Sequence, residues 1–183
     1  TWAGETRTTL PCAATRSPVT TWVEEPRGGR DRGPRAVARA WVEVLVRPRR
    51  FFNHAVAPGD QAPGLVFAVV MAVAYTFGLA VLDPGRIPAT DAVEGALVVA
   101  LVALLIAPAL LHLLAALQTL ALMATVRDRA GVSETVQVLA YATAPGPLAA
   151  VPIPELRVLA CLYGTALLVV GLFEVHGTTT GRA

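Results

Sequence analysis

The chain of 183 residues has no lysine, two cysteines, two serines and little charge of either sign. Charged residues make up 15% of it, against about 25% in an ordinary soluble domain. Four stretches hold no Asp, Glu, Arg or Lys: Gln61–Leu82 (22 residues), Gly95–Val126 (32), Thr135–Pro154 (20) and Val158–Phe173 (16). Together they make about half the chain, and a helix crosses a bilayer with roughly 20 apolar residues. These lacks exclude a soluble globular enzyme, a disulfide-rich secreted domain and a disordered chain. Two cysteines cannot build a disulfide framework; Cys12 sits in a polar tail, and Cys161 reads as a small packing residue. Ser17 and Ser133 both lie outside the apolar stretches, which excludes a serine intramembrane protease. No phosphate-binding loop, dinucleotide fingerprint, paired-cysteine motif or zinc-binding helix motif occurs. The three histidines, His54, His112 and His176, lack the spacing of a ligand pair. The reading is therefore non-enzymatic, with no catalytic residue, metal or cofactor.

What is present is an all-α membrane bundle in outline. Residues 1–33 read as a polar, disordered tail. Pro34–Arg47 reads as a helix: Val37, Ala40, Trp41, Val44 and Leu45 form one apolar face, and Arg35, Arg39, Glu43 and Arg47 recur every four residues on another. Pro34 suits its first turn and Pro48 ends it. This amphipathic helix, with the basic linker to residue 52, should lie in the membrane interface or pack on the bundle. A transmembrane domain over 60–174 follows, with four spans at about 63–82, 91–126, 134–148 and 155–173, and a tail over 175–183. The second span is long, and Pro108 should bend it; Pro145, Gly146 and Pro147 should break or distort the third near its end. Asp91 and Glu94 have the spacing of a capping box, and Ser133 reads as the N-cap of the third span.

All 15 basic residues are arginine, and eight lie between Arg27 and Arg50. With Arg127 and Arg129 after the second span, the positive-inside rule places both termini in the cytoplasm. The arginine run also suits anionic lipid headgroups; it lacks the aromatics and motif of a nucleic-acid site. Candidate partner or lipid contacts are thus Arg35, Arg39, Trp41, Leu45, Arg47, Arg49 and Arg50. Within the spans His112, Gln118 and Tyr141 are candidate polar contacts, reaching across helices or lining a transport path. No Asp or Glu lies inside any span, which weakens an ion-coupled transporter. Small residues four apart recur at Ala68/Ala72, Ala74/Gly78, Ala140/Ala144 and Ala160/Gly164, and permit close packing.

The runs AWVEVLVRPRRFF (Ala40–Phe52) and PGDQAPGLVFAVVMAVAY (Pro58–Tyr75) resemble the start of Yip1-domain membrane proteins, particularly archaeal members. YATAPGPLAAVPIP (Tyr141–Pro154) and GLFEVHGTTTGRA (Gly171–Ala183) resemble that family's later half. The resemblance implies a helical integral membrane protein without known enzymatic activity, in the plasma membrane of a prokaryote. It suggests a membrane-organising or trafficking-type scaffold that acts through lipid, protein partners or a homo-oligomer. Eukaryotic relatives bind Rab-type GTPases, but their acidic and aromatic cytoplasmic motifs are not evident in Thr1–Gly33. The family usually has five spans, so a further helix is expected after Ala183. The alternative is a small transporter or channel-like subunit with a polar path near His112 and Gln118.

Overall fold

The computed structural model describes residues 33–125 and 130–177. The expected N-terminal tail up to residue 32, the 126–129 loop and the C-terminal tail from 178 lie outside the described residues. Every element described is helical. The first helix, α1 (Pro34–Val46), has Pro34 at its start, and Pro48 opens a second helix, α2 (Pro48–Ala55). The segment expected as a basic linker is therefore helical. One proline ends α1 and starts α2, because its missing N–H is dispensable only in a first turn.

Three helices are long and apolar enough to cross a membrane by length and composition: Ala62–Leu82, Ala92–Ala124 and Pro154–His176. The first is α3 (Ala62–Leu82). The second joins α4 (Ala92–Leu101) to α5 (Ala107–Thr125) through a π-helical turn, Val102–Ile106. In that turn the Ala107 N–H bonds the Val102 carbonyl, five residues back. The wide turn falls where Pro108 must cost the ladder a bond in any case. The chain passes through without reversing, as one helix of 33 residues. At its start Asp91 accepts from the Glu94 N–H (2.8 Å), while Glu94 reaches back to the Thr90 N–H (2.6 Å). This is the capping reciprocity expected, displaced by one residue.

The segment expected as the third span differs most. It is α6 (Val132–Ala142), a turn, and a 3-10 turn over Gly146–Ala150. The 11 residues of α6 reach only about 16 Å. Pro145 and Pro147 offer no N–H, so the chain tightens into three-residue bonds such as Thr143 N–H to Ala140 and Gly146 N–H to Thr143. Its start also differs: Gly131 takes the N-cap place assigned to Ser133. The last helix, α7 (Pro154–Gly177), runs beyond the expected 173 and takes in Glu174 and His176.

Glycines show how this broken segment is seated. A Cβ on Gly64 of α3 would meet the Gln137 Cα at 3.1 Å, and one on Gly78 the Ala150 Cβ at 2.7 Å. The α6 segment thus runs parallel to α3 along most of its length. On α7, a Cβ on Gly164 would meet the Ala142 carbonyl at 3.2 Å, and one on Gly171 the Val138 side chain at 2.7 Å. Against α7 it therefore runs antiparallel. Two of the small-residue pairs, Ala74/Gly78 and Ala160/Gly164, supply one glycine each to this slot. Beyond it, Arg157 ties three chain ends together: its guanidinium donates to the Ala149 carbonyl (3.1 Å) and to the Asp83 carboxylate (2.8 Å).

Gly171→Ala should lower stability by about 1–3 kcal/mol, because the added methyl meets packed Val138 and Phe52. Gly85→Ala, with open space around it, should change it by less than about 0.5 kcal/mol. Denaturant titration of both variants in mild detergent checks the contrast; equal losses would refute the glycine slot.

Candidate functional site

The α1–α2 segment has two unlike faces. Ala36, Ala40 and Val44 of α1 and Phe51, Phe52 and Ala55 of α2 are buried. They share a core with Phe67 and Met71 of α3, Tyr141 and Ala144 of the broken segment, and Leu167 of α7. Val37, Trp41 and Leu45 flank this row, half-buried. The face is turned slightly from the one expected, and Ala36 belongs to it. Small Ala36 and Ala40 let the α1 backbone come close, so the larger side chains fill the flank. Arg35, Arg39, Arg47, Arg49 and Arg50 are all exposed. Glu174 of α7 lies 3.8 Å from the Arg49 guanidinium and accepts from the Asn53 amide at 2.8 Å.

Side chains at the broken segment bond backbone groups that helices leave open. The Trp41 indole N–H donates to the Ala144 carbonyl at 2.7 Å. The Tyr163 hydroxyl donates to the Leu45 carbonyl beside the α1–α2 break. Gln137, fully buried, accepts from the Ala57 N–H (3.1 Å) and donates to the Ala57 carbonyl (2.7 Å), clamping the α2–α3 linker. Buried His176 accepts from the Ala130 N–H at 3.1 Å and faces the Thr135 hydroxyl. Sequence position alone gives Gln137, Tyr163 and His176 no such role. Nothing in their sequence spacing marks the distant carbonyl or amide each one meets. Trp41 and Leu45 were expected to touch a partner or lipid, and they face the core and its flank.

The intramembrane candidates do not converge. His112 is exposed on α5, and its Nδ1 bonds the Pro108 carbonyl one turn back at 2.7 Å. Gln118 is half-buried, while Tyr141 is fully buried against Phe51 and Phe67. Thr76, Thr143 and Thr165 likewise bond carbonyls of their own helices. A groove between α3 and α5, about 240 Å³ in volume, is lined by apolar side chains with Tyr75 and Thr143 at its edge. None of this forms a polar route. Among the described residues no group of three His, Cys, Asp or Glu side chains could hold a metal ion.

Trp41→Phe should cost about 1–2 kcal/mol, since it leaves the Ala144 carbonyl open at a buried site. His112→Leu should change stability by less than about 1 kcal/mol, its bond being local and exposed. Unfolding of the two variants in detergent measures both; a larger loss for His112→Leu would contradict this geometry.

A family model described as the Yip1 domain matches residues 42–183. No curated protein and no solved structure is significantly similar to the chain.

Proposed function

Since the chain belongs to the Yip1 domain family, we propose that it is a non-enzymatic scaffold that organises the membrane holding it. It is a membrane protein whose apolar helices contact the lipid bilayer. The working surface is the α1–α2 belt, an amphipathic interfacial element that meets anionic headgroups and protein partners. One observation carries the reading: the belt buries its apolar row in the bundle and leaves Arg35, Arg39, Arg47, Arg49 and Arg50 facing outward. Near an anionic surface each such charge is worth about 1 kcal/mol.

The proposal includes four crossings in the plasma membrane of a prokaryote, with both termini cytoplasmic. The broken α6 segment is the third crossing. It supports this reading that the segment follows α3 from Gly64 to Gly78. Irregular backbone is tolerated at membrane depth where protein covers it, and Val136, Val138, Ala140, Tyr141, Ala144 and Ala150 are all buried.

Single cysteines at Gly85→Cys and Val132→Cys, with Cys12 and Cys161 replaced by Ala, test the topology. A membrane-impermeant thiol reagent added to intact cells should label the first and spare the second. Reversed labelling overturns the orientation, and labelling of both overturns the crossing of the Ala92–Ala124 helix that separates the two positions. For the working surface, Arg47→Gln, Arg49→Gln and Arg50→Gln are combined. The triple variant should fold and insert normally, yet lose most co-purifying anionic lipid and protein. An unchanged set of co-purifying molecules would remove the belt from the function.

A further inference from the structure

A groove of about 290 Å³ runs between α1 and α3, lined by Pro34, Val37, Ala38, Trp41, Val70 and Met71. It arises from the tilt of the buried face described above. The small row Ala36 and Ala40 brings α1 close to the bundle on one side. On the flank, Ala38 is too short to fill the gap that Trp41 and Pro34 bracket. Val70 of α3 is 38% exposed, so the groove opens onto the surface that α3 turns to the bilayer.

We propose that this groove seats one acyl chain of an anionic phospholipid, with Arg35 at its mouth taking the phosphate. The lining chemistry selects the chain. An apolar cavity without polar partners does not hold ordered water, and the bilayer supplies hydrocarbon at the opening. The charge selects the headgroup. Arg35 adjoins Pro34 and lies one turn from Ala38, is exposed, and can lay its stem along the apolar wall while its guanidinium stays at the surface. A guanidinium binds a phosphate through two parallel N–H bonds; a zwitterionic headgroup offers that phosphate beside its own cation, whereas an anionic headgroup offers it with net negative charge. Pro34, Val37, Ala38 and Trp41 all precede the first residue that the family model matches, residue 42. The seat is thus formed between residues of α1 that precede the matched range and Val70 and Met71 of α3 within it. It deepens the scaffold reading and rests on α1 lying at the bilayer surface. Its test is independent of whether any protein partner co-purifies.

Trp41 lines the groove and reports on it. The chain has three tryptophans, so Trp2→Phe with Trp22→Phe leaves Trp41 as the sole fluorophore. The full-length protein is placed in phosphatidylcholine vesicles that contain increasing fractions of phosphatidylglycerol or phosphatidylcholine with brominated acyl chains. Brominated phosphatidylglycerol should quench Trp41 in a saturable way at low mole fraction. Its advantage over brominated phosphatidylcholine should be about fivefold, the factor given by about 1 kcal/mol for one arginine near an anionic headgroup. Arg35→Gln should abolish that advantage and keep the general quenching. Ala38→Phe should fill the groove and remove the saturable part. If it unfolds the protein, Val70→Phe fills the same space from α3. Equal, proportional quenching by both lipids overturns the seat in favour of ordinary lipid contact. No quenching by either overturns it too, since the groove is then closed to lipid.

Discussion

A membrane interior offers no water to a free peptide group, and every break in a helix frees several. That constraint organises this molecule. Its helices break at Pro48, at the π turn before Pro108, and at Pro145–Pro147. Each break meets a different remedy. The wide π turn absorbs the loss within one helix, where the Ala107 N–H finds Val102. At the other breaks the remedy comes from far along the chain. Trp41 reaches Ala144, 103 residues away, and Tyr163 reaches Leu45, 118 residues away. The two contacts are reciprocal in effect: α1 closes the break in the α6 segment, while α7 closes the break after α1. Removing either side chain leaves a buried carbonyl open, at a cost of about 1–3 kcal/mol.

Because the α6 segment is irregular, it must be enclosed, and enclosure explains the composition around it. Glycine is a poor helix former in water and yet stands at Gly64, Gly78, Gly164 and Gly171, where it admits the neighbouring backbone. Large side chains there would hold α3 and α7 apart and uncover the break. The aromatic residues complete the seal. Tyr141 sits edge-on to Phe51 at 4.8 Å and packs against Phe67 at 5.1 Å. Phe51 and Phe52 are thus structural anchors, and they fix α2 so that Arg49 and Arg50 stay exposed, Arg49 beside Glu174 of α7.

The α1–α2 belt is therefore more than an attachment to a finished bundle. Its inner row completes the core, and its tryptophan completes the hydrogen bonding of the broken segment. Its outer face is then left with arginine because nothing inside can use the charge. This division of labour links the fold to the proposed scaffold role: an element rigidly tied to the membrane helices presents a basic surface in a fixed position. His112 and Gln118 have no comparable setting. One is exposed with a local bond and the other half-buried on the same helix, so no shared site relates them to the core.

The membrane class was legible in the residues alone, because charge is excluded from hydrocarbon at any sequence position and long uncharged runs record that directly. So were the bounds of α1, which Pro34 and Pro48 set locally, and the Asp91–Glu94 cap, which needs only four consecutive residues. The family also showed in short runs, RPRRFF and YATAPGP, whose pattern does not depend on packing. In the Thr135–Pro154 stretch the prolines marked a break, and what the sequence could not settle was how short the helix before it would be and what form the chain takes after it. An uncharged run of 20 residues reads as a span whether it is one helix or a helix with a turn and a tight coil. The outcome depends on what surrounds the prolines. Nor could periodicity tell whether Trp41 faces lipid or core, since both are apolar and the same side chain suits either. Contacts more than 100 residues apart decided these questions, because a freed carbonyl can be satisfied only by a donor that the folded bundle brings to it.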